Sequence, residues 1–255
     1  DRVLSTPYTW GDTYVGRWHM NPNLGATPEM YDGTANDHDG TTFGAMTSAN
    51  VISGIAGGGV FFDGCDDFMD VGGFATPGDR FTLSAWIQGD PANTGNHGVV
   101  GYEGLGACCG SRAPSIMVRQ ASRLRAGFSD GSGFNFLTTP YNVVDASGST
   151  WNYLTMTYDG TNLRVMVDGV TVSNNTSYAG SSVATSPVRH IGRMDNNFFR
   201  GNVDEVSVSS VAHSEDYTRT EYHNLIDPAT FFSVTPGTPP SNEQPLIDLS
   251  TTEEL

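Results

Sequence analysis

The sequence predicts an all-β protein, an antiparallel jelly-roll β-sandwich with one short C-terminal helix. The segment 151–210 carries this prediction through two features. Apolar and polar residues alternate in the runs LTMTY and LRVMV, and a period of two is typical of strands with one buried face. Each run is followed by Asp-Gly, at positions 159–160 and 168–169, and this pair supplies the positive φ angles that tight hairpin turns need. The segment is therefore a meander of antiparallel strands.

The same alternation predicts strands along the rest of the chain. They lie at 14–20, 60–62, 68–71, 80–88, 99–102, 115–119, 124–128, 134–138, 187–191 and 202–208. A single helix is expected after Ser214, which has the character of an N-cap and precedes two acidic residues in the first turn. The helix is expected to end near Leu225, before Pro228. The chain of 255 residues divides into a jelly-roll domain, 1–235, and an extended, proline-rich acidic tail, 236–255.

Charge narrows the classes of partner. The chain carries a net charge of −16, from 28 acidic and 12 basic residues, and every basic residue is Arg. A surface this acidic repels phosphate backbones, so nucleic acid is excluded as a partner. No apolar run has the length of a membrane span.

Five segments in order resemble the laminin-G-like, concanavalin A-like jelly-roll domains of secreted microbial surface proteins. The central ones are WNYLTMTYDGTNLRVMVDGV, IGR and GNVDEVSVSS; GGGVFFDGCDDFMDVG with FTLSAWIQGD lies upstream, and AHSEDYTRTEYHNLIDPATFFSV lies downstream. The resemblance covers about residues 10–235. It implies the jelly-roll fold, the use of calcium and an extracellular or cell-surface location.

The loop DGTANDHDGT, residues 32–41, is the densest cluster of oxygen ligands in the chain. Calcium takes six to eight oxygens from carboxylates and carbonyls. The resembled domains carry a similar loop, which Asp32, Asn36 and Asp39 match, and they add an Asp that corresponds to Asp204. Ala35 stands where those domains have Gly. We therefore expect a calcium site at these four residues, against the alternative that they only form turns.

Catalysis is not expected. Jelly-roll glycosidases need two facing carboxylates, usually close together on one strand. The chain has no Glu-x-Asp-x-Glu run, its six His are scattered, and no Gly-x-Ser-x-Gly elbow is present.

Loop aromatics point instead to ligand binding, because sugars stack on aromatic rings while polar side chains contact their hydroxyls. The run Asn196, Asn197, Phe198 and Phe199 joins two amides to two aromatic rings. We predict a ligand-binding site there, with packing of the sandwich ends as the alternative. Trp86 falls on a strand and is expected to be buried in the core.

The three cysteines are Cys65, Cys108 and Cys109. A secreted chain with three cysteines usually joins two of them in a disulfide, so we expect a cystine that includes Cys108 or Cys109. A bridge from Cys65 to either one would leave an odd thiol, whereas a bond between the neighbours would strain the loop.

Together these features predict a non-catalytic extracellular recognition or adhesion module, stabilised by calcium, whose partner is a glycan or a surface protein. The alternative is a structural subunit that self-associates through its tail. In that case, the apolar tail segment 246–250 would pair as a strand along an exposed sheet edge. A polysaccharide-active enzyme ranks third.

Overall fold

The structure is a computed structural model. It describes residues 13–26, 29–74, 78–92, 94–102, 112–120, 122–131, 133–145, 147–176, 178 and 187–231. Most of the described strands belong to two antiparallel sheets that face each other, so the predicted sandwich is confirmed. The N-terminal arm, Cys108, Cys109 and the tail 236–255 lie outside the described residues.

The larger sheet has eight strands. Its order is β13-β12-β11-β6-β17-β4-β3, and β1 also pairs with β17. The strands are β1 (Tyr14–Trp18), β3 (Val51–Ser53), β4 (Gly58–Asp63), β6 (Phe81–Gly89), β11 (Asn152–Tyr158), β12 (Leu163–Val167), β13 (Val170–Asn175) and β17 (Arg200–Ser209).

The second sheet has seven strands, in the order β10-β9-β8-β7-β14-β5-β2. The strands are β2 (Thr41–Phe43), β5 (Phe68–Phe74), β7 (Asn96–Tyr102), β8 (Ser115–Arg119), β9 (Arg123–Ser129), β10 (Phe134–Thr138) and β14 (Val188–Ile191). A separate short hairpin joins β15 (Arg193–Met194) to β16 (Asn197–Phe198).

The hydrophobic core lies between the sheets and contains the apolar residues that the alternation assigned to one face. Phe81, Leu83 and Ile87 of β6 are fully buried. The Asp168-Gly169 turn has positive φ at both residues and joins β12 to β13 through two residues, as expected of this hairpin type.

The C-terminal helix α1 (Glu215–Ile226) covers the outer face of the eight-stranded sheet. The predicted N-cap is confirmed, because Ser214 Oγ accepts a hydrogen bond of 3.1 Å from the backbone N–H of Tyr217. A four-residue helix, α2 (Pro228–Phe231), follows. Because α1 covers this face, Trp86 is buried beneath the helix, stacked between Tyr153 and Tyr222. Trp86 is thus buried, as predicted, but under α1 and not in the hydrophobic cluster between the sheets.

Candidate functional site

The outer face of the seven-stranded sheet carries a group of arginines. In the pairing of β8 with β9, Arg125 lies opposite Met117 and Arg119 lies opposite Arg123. The alternate residues of both strands belong to the core, so these side chains share the outer face. With Arg112, just before β8, we call Arg112, Arg119, Arg123 and Arg125 the arginine cluster. Like charges directly opposite each other weaken a strand pair, so Arg119 and Arg123 lower the stability of the β8–β9 pair.

The β15–β16 hairpin lies across β7 on the same face. A side chain at Gly98 would collide with the backbone of Met194, and one at Gly101 would lie 2.9 Å from the Met194 side chain. These two glycines therefore permit the close approach. A contact of 2.7 Å between His97 Nδ1 and the carbonyl oxygen of Phe198 ties the hairpin to the sheet.

A cleft of about 180 Å³ lies on this face, and we call it the arginine cleft. Its lining includes Tyr102, Arg112, Arg125, Phe134, Asp195 and Asn197. Pockets that enclose a whole drug-sized ligand measure roughly 300–1,000 Å³. The arginine cleft therefore suits one group of a larger ligand, with the remainder on the open face.

The guanidinium groups in the cleft stack on aromatic rings. Arg125 Cζ lies 3.5 Å from the ring centroid of Phe136 and 5.8 Å from that of Phe134. Arg112 Cζ lies 5.2 Å from the Phe134 centroid and 5.7 Å from the Tyr102 centroid. The Nε atoms of both arginines are buried without a hydrogen-bond partner. The stacking thus holds two cations in place while part of their hydrogen-bonding capacity is unused.

Within the described part of the chain, no member of the arginine cluster forms an ion pair with a carboxylate. Arg119 Nε instead donates to the amide oxygen of Asn96 at 2.7 Å. Burial, and then the charges of Arg119 and Arg112, lower the pKa of Arg125. The arginine cluster is a local positive region on an acidic protein.

The arginine cluster was not predicted from the sequence, although a signal was present. Residues 112–125 contain four arginines and no acidic residue, in a chain with more than twice as many acidic as basic residues. A count of charge by segment, rather than over the whole chain, indicates the cluster.

The predicted ligand residues 196–199 belong to the β15–β16 hairpin and its flank, beside the cleft. Asn197 lines the cleft, and its amide donates to the carbonyl oxygen of Met194 at 3.2 Å. Asn196 is exposed at the hairpin turn, and Phe198 is half-buried. Phe199 is fully buried in the core, so its prediction as a ligand contact is wrong: the residue after β16 turns inward to pack between the sheets.

A second cavity, of about 510 Å³, lies between α1 and the eight-stranded sheet. It contains Glu205, which has a φ of 45° at a bulge in β17. The bulge lies where β17 stops pairing with β4 and begins pairing with β1. Glu205 Oε1 contacts His19 Nδ1 at 2.6 Å, and Glu205 Oε2 accepts from Arg17 at 3.3 Å. The bulge thus directs a carboxylate to a buried arginine.

Glu221 of α1 completes the network in this cavity. Its two oxygens accept hydrogen bonds from the hydroxyls of Tyr14, at 3.1 Å, and Tyr153, at 2.8 Å. Burial acts to lower the pKa of Arg17. The charge of Glu205, together with the other neighbours of Arg17, outweighs burial, so the pKa of Arg17 is raised. The carboxylates here are engaged by the protein itself. Among the groups that line this cavity, Trp86 Nε1 and Arg17 Nε are buried atoms without a hydrogen-bond partner.

The structure gives Asp32, Asn36 and Asp39 of the predicted calcium loop local roles. Asp32 accepts from the backbone N–H groups of Arg17, Thr34 and His38, at 3.0, 2.9 and 3.1 Å. Asp39 accepts from the N–H of Asp32 at 2.8 Å. The amide of Asn36 donates to the carbonyl oxygens of Tyr14 and Val15, at 3.2 and 3.0 Å.

Asp204 serves a different loop. One of its oxygens accepts from the N–H groups of Ile55 and Ala56, at 2.8 and 3.1 Å, and the other accepts from the N–H of Glu205 at 2.8 Å. Burial, with a contribution from the charge of Glu205, raises the pKa of Asp204 to about 6. Within the described residues, Asp32, Asp39 and Asp204 do not form a group of three carboxylates with oxygens within 4.8 Å of one another. Calcium at Asp32, Asn36, Asp39 and Asp204 stays a prediction.

In the described residues, the acidic, His and Cys side chains that approach within 4.8 Å as a group of three are those of Asp63, Asp66 and Asp67. Burial, and then the charge of Asp63, raise the pKa of Asp67 to about 6. Cys65 lies in the same turn as a free, exposed thiol. The expected cystine stays a prediction.

A family profile described as the concanavalin A-like lectin/glucanase superfamily, of the laminin G type, matches residues 62–217. The chain belongs to this family. No curated protein sequence matches the chain. No helix of the described residues is long and apolar enough to cross a membrane.

Solved structures of this laminin-G-like fold include binding domains. The binding domain of Paraclostridial Mosquitocidal Protein 1 matches with a TM-score of 0.62 at 12% identity, over 84% of this chain and 52% of that one. The receptor binding domain of the botulinum neurotoxin C/D mosaic serotype matches with a TM-score of 0.62 at 10% identity, over 84% and 51%.

A third structure is domain 4 of AbnA, an extracellular arabinanase of Geobacillus stearothermophilus, in complex with arabinotriose. It has a TM-score of 0.55 at 15% identity, over 74% of this chain and 90% of that one. The chain spans about half the length of the two toxin domains. At these identities the likeness shows the fold alone.

Proposed function

We propose that this protein is a non-catalytic, extracellular module that binds glycans through the arginine cleft and the aromatic side chains beside it. The observation that carries the proposal is the concentration, on one open sheet face, of aromatic rings and of arginines that have no carboxylate partner among the described residues. Phe136 and Tyr141 are 38% and 55% exposed. Exposed rings of this kind stack on sugars, while polar side chains bind the hydroxyls.

Two further observations support this function. The arabinanase domain of the same fold was solved with arabinotriose, and the toxin domains are binding domains. The carboxylates of the larger cavity, Glu205 and Glu221, hold Arg17 and α1 in place. This engagement favours a structural role over acid–base catalysis for them.

A glycan array with the purified protein tests the proposal. We expect binding to a subset of glycans, weakened about 2- to 10-fold by Phe136→Ala or Tyr141→Ala, because each removes one stacking surface. Val170→Ala is the control, since Val170 is an exposed apolar residue of the eight-stranded sheet. If no glycan binds, or if neither aromatic variant changes binding, the proposal is wrong.

A further inference from the structure

We propose that the arginine cleft selects acidic sugars, and that it binds an anionic group of the glycan, a carboxylate or a sulfate, at Arg112 and Arg125. This inference rests on the proposed glycan-binding function and adds the class of ligand. Three observations carry it: the distribution of charge, the geometry of the two guanidinium groups and the composition of the opposite wall.

The distribution of charge is the first observation. The protein has 28 acidic residues, so carboxylate partners are abundant. Arg17, Arg164, Arg189, Arg200 and Arg219 each pair with one. The arginine cluster forms no such pair within the described residues, and Arg119 lies directly opposite Arg123. An arrangement that costs stability and leaves cations unpaired is typical of a site that awaits an anion.

The geometry of the guanidinium groups is the second observation. Arg125 Cζ lies 3.5 Å from the centroid of Phe136, and Arg112 Cζ lies 5.2 Å from that of Phe134 and 5.7 Å from that of Tyr102. Stacking on a ring covers a face of the guanidinium and leaves its N–H groups at the edge. A guanidinium presents a planar fork of donors that matches the oxygens of an anionic group. The Nε atoms of Arg112 and Arg125 are buried and lack partners, so the donors that face a ligand are the Nη groups at the outer ends of the two side chains.

The opposite wall indicates that the anion is carried on a sugar. Asp195 and Asn197 of the β15–β16 hairpin line the cleft across from β9, and Asn96 lies beside them. A carboxylate and amides are suitable partners for hydroxyl groups. With two arginines against one aspartate, the balance of charge in the cleft favours a single anionic group. A polyanion such as nucleic acid would be repelled by the protein as a whole, which has a net charge of −16.

The test measures binding by the whole protein to pairs of probes that differ only in charge. Oligogalacturonate is compared with its methyl ester, and a sulfated galactan is compared with its desulfated form. We expect binding to the acidic member of at least one pair, at least 10-fold tighter than to the neutral member and weakened by salt. Comparison of the two pairs identifies carboxylate or sulfate as the group.

Variants assign the effect to the cleft. Arg125→Met and Arg112→Met remove the guanidinium but keep an unbranched apolar side chain that can pack against the rings. Each should weaken acidic-probe binding by about 10- to 100-fold, the value of a charge-assisted contact. Arg125→Lys keeps the charge but loses the fork, so it should fall between Arg125→Met and the parent. Arg219→Met is the matched control, because it removes the same charge from an exposed position of α1. Melting curves confirm that each variant is folded.

Each outcome decides the matter. Selective acidic binding that is lost in the cleft variants and kept in Arg219→Met supports the inference. Equal binding of acidic and neutral members overturns it and leaves the glycan-binding function intact. Equal losses of acidic-probe binding in Arg219→Met and Arg125→Met overturn it, because binding would then depend on the net charge of the protein and not on the cleft. Comparable, Arg125-dependent binding of a single-stranded DNA oligonucleotide overturns the sugar assignment. If no glycan of any charge binds, the proposed function itself fails.

Discussion

Arginine has opposite surroundings on the two sheets. Beneath α1, Arg17 contacts Glu205 at 3.3 Å and Glu221 at 3.7 Å, so the cation is held between carboxylates. On the seven-stranded sheet, Arg112 and Arg125 contact aromatic rings and, within the described residues, no carboxylate. The contrast shows that pairing in this acidic protein depends on position. The first arrangement fastens a helix to a sheet, whereas the second leaves the cations of the described sheet face without a carboxylate partner.

Replacement of one arginine on each sheet gives the clearest test of this difference. In Arg17→Met, Glu205 stays buried without its cation, and removal of one partner of a buried pair costs roughly 3–5 kcal/mol. In Arg125→Met no carboxylate is stranded and repulsion from Arg119 is relieved, so we expect stability within about 0.5 kcal/mol of the parent, or slightly higher. Chemical denaturation measures both. Equal losses in the two variants would contradict the distinction.

The glycines beneath the β15–β16 hairpin give a second test, directed at the wall of the cleft. Gly98→Ala places a methyl group against the backbone of Met194, and overpacking of this kind costs about 1–3 kcal/mol. The hairpin should shift, so glycan binding should weaken along with stability. Gly78→Ala is the control, since nothing lies within 4 Å of a side chain there. A Gly98→Ala protein with parental stability would show that the hairpin does not press on β7.

The pH dependence of stability tests the buried acid beside the Arg17 network. The pKa of Asp204 is raised from 3.8 to about 6. Between these values the folded protein holds a proton that the unfolded chain has released, so stability should fall as pH rises from about 4 to about 6, by on the order of 2 kcal/mol. Asp204→Asn should flatten this fall in denaturation curves recorded at a series of pH values. An unchanged slope in the variant would show that another group titrates.

Calcium provides the smallest expected effect. If the ion binds at Asp32, Asn36, Asp39 and Asp204, added calcium should raise the melting temperature by a few degrees, because ligand binding to the folded state alone stabilises it. Asp32→Asn should remove the increase. Asp67→Asn, in the separate acidic turn, is the matched control. The same melting temperature in calcium and in chelator would contradict the prediction. If only Asp67→Asn abolished the calcium-dependent rise in melting temperature, the ion would bind at the acidic turn instead.

Local patterns predicted the elements well and the side-chain neighbours less well. The run LTMTY is a strand because its apolar residues share one face, and Ser214 caps α1 with a hydroxyl that is three residues from its partner. Phe199 and Trp86 show the limit of this reasoning. Phe199 was predicted to face a ligand but lies in the core between the sheets. Trp86 was predicted to be a core residue and is fully buried, but it lies under the helix. Which side of a strand is covered depends on elements distant in sequence.

The sequence by itself determined the sandwich fold, the position of α1 and the acidic character, because strand alternation, turn chemistry and helix capping act over a few residues. Only the tertiary structure decided the candidate site. The register of β8 with β9 aligned the arginines, and the hairpin at 193–198 crossed glycines almost a hundred residues earlier in the chain to form the opposite wall. Such contacts depend on how the whole sheet closes, and no short segment records them.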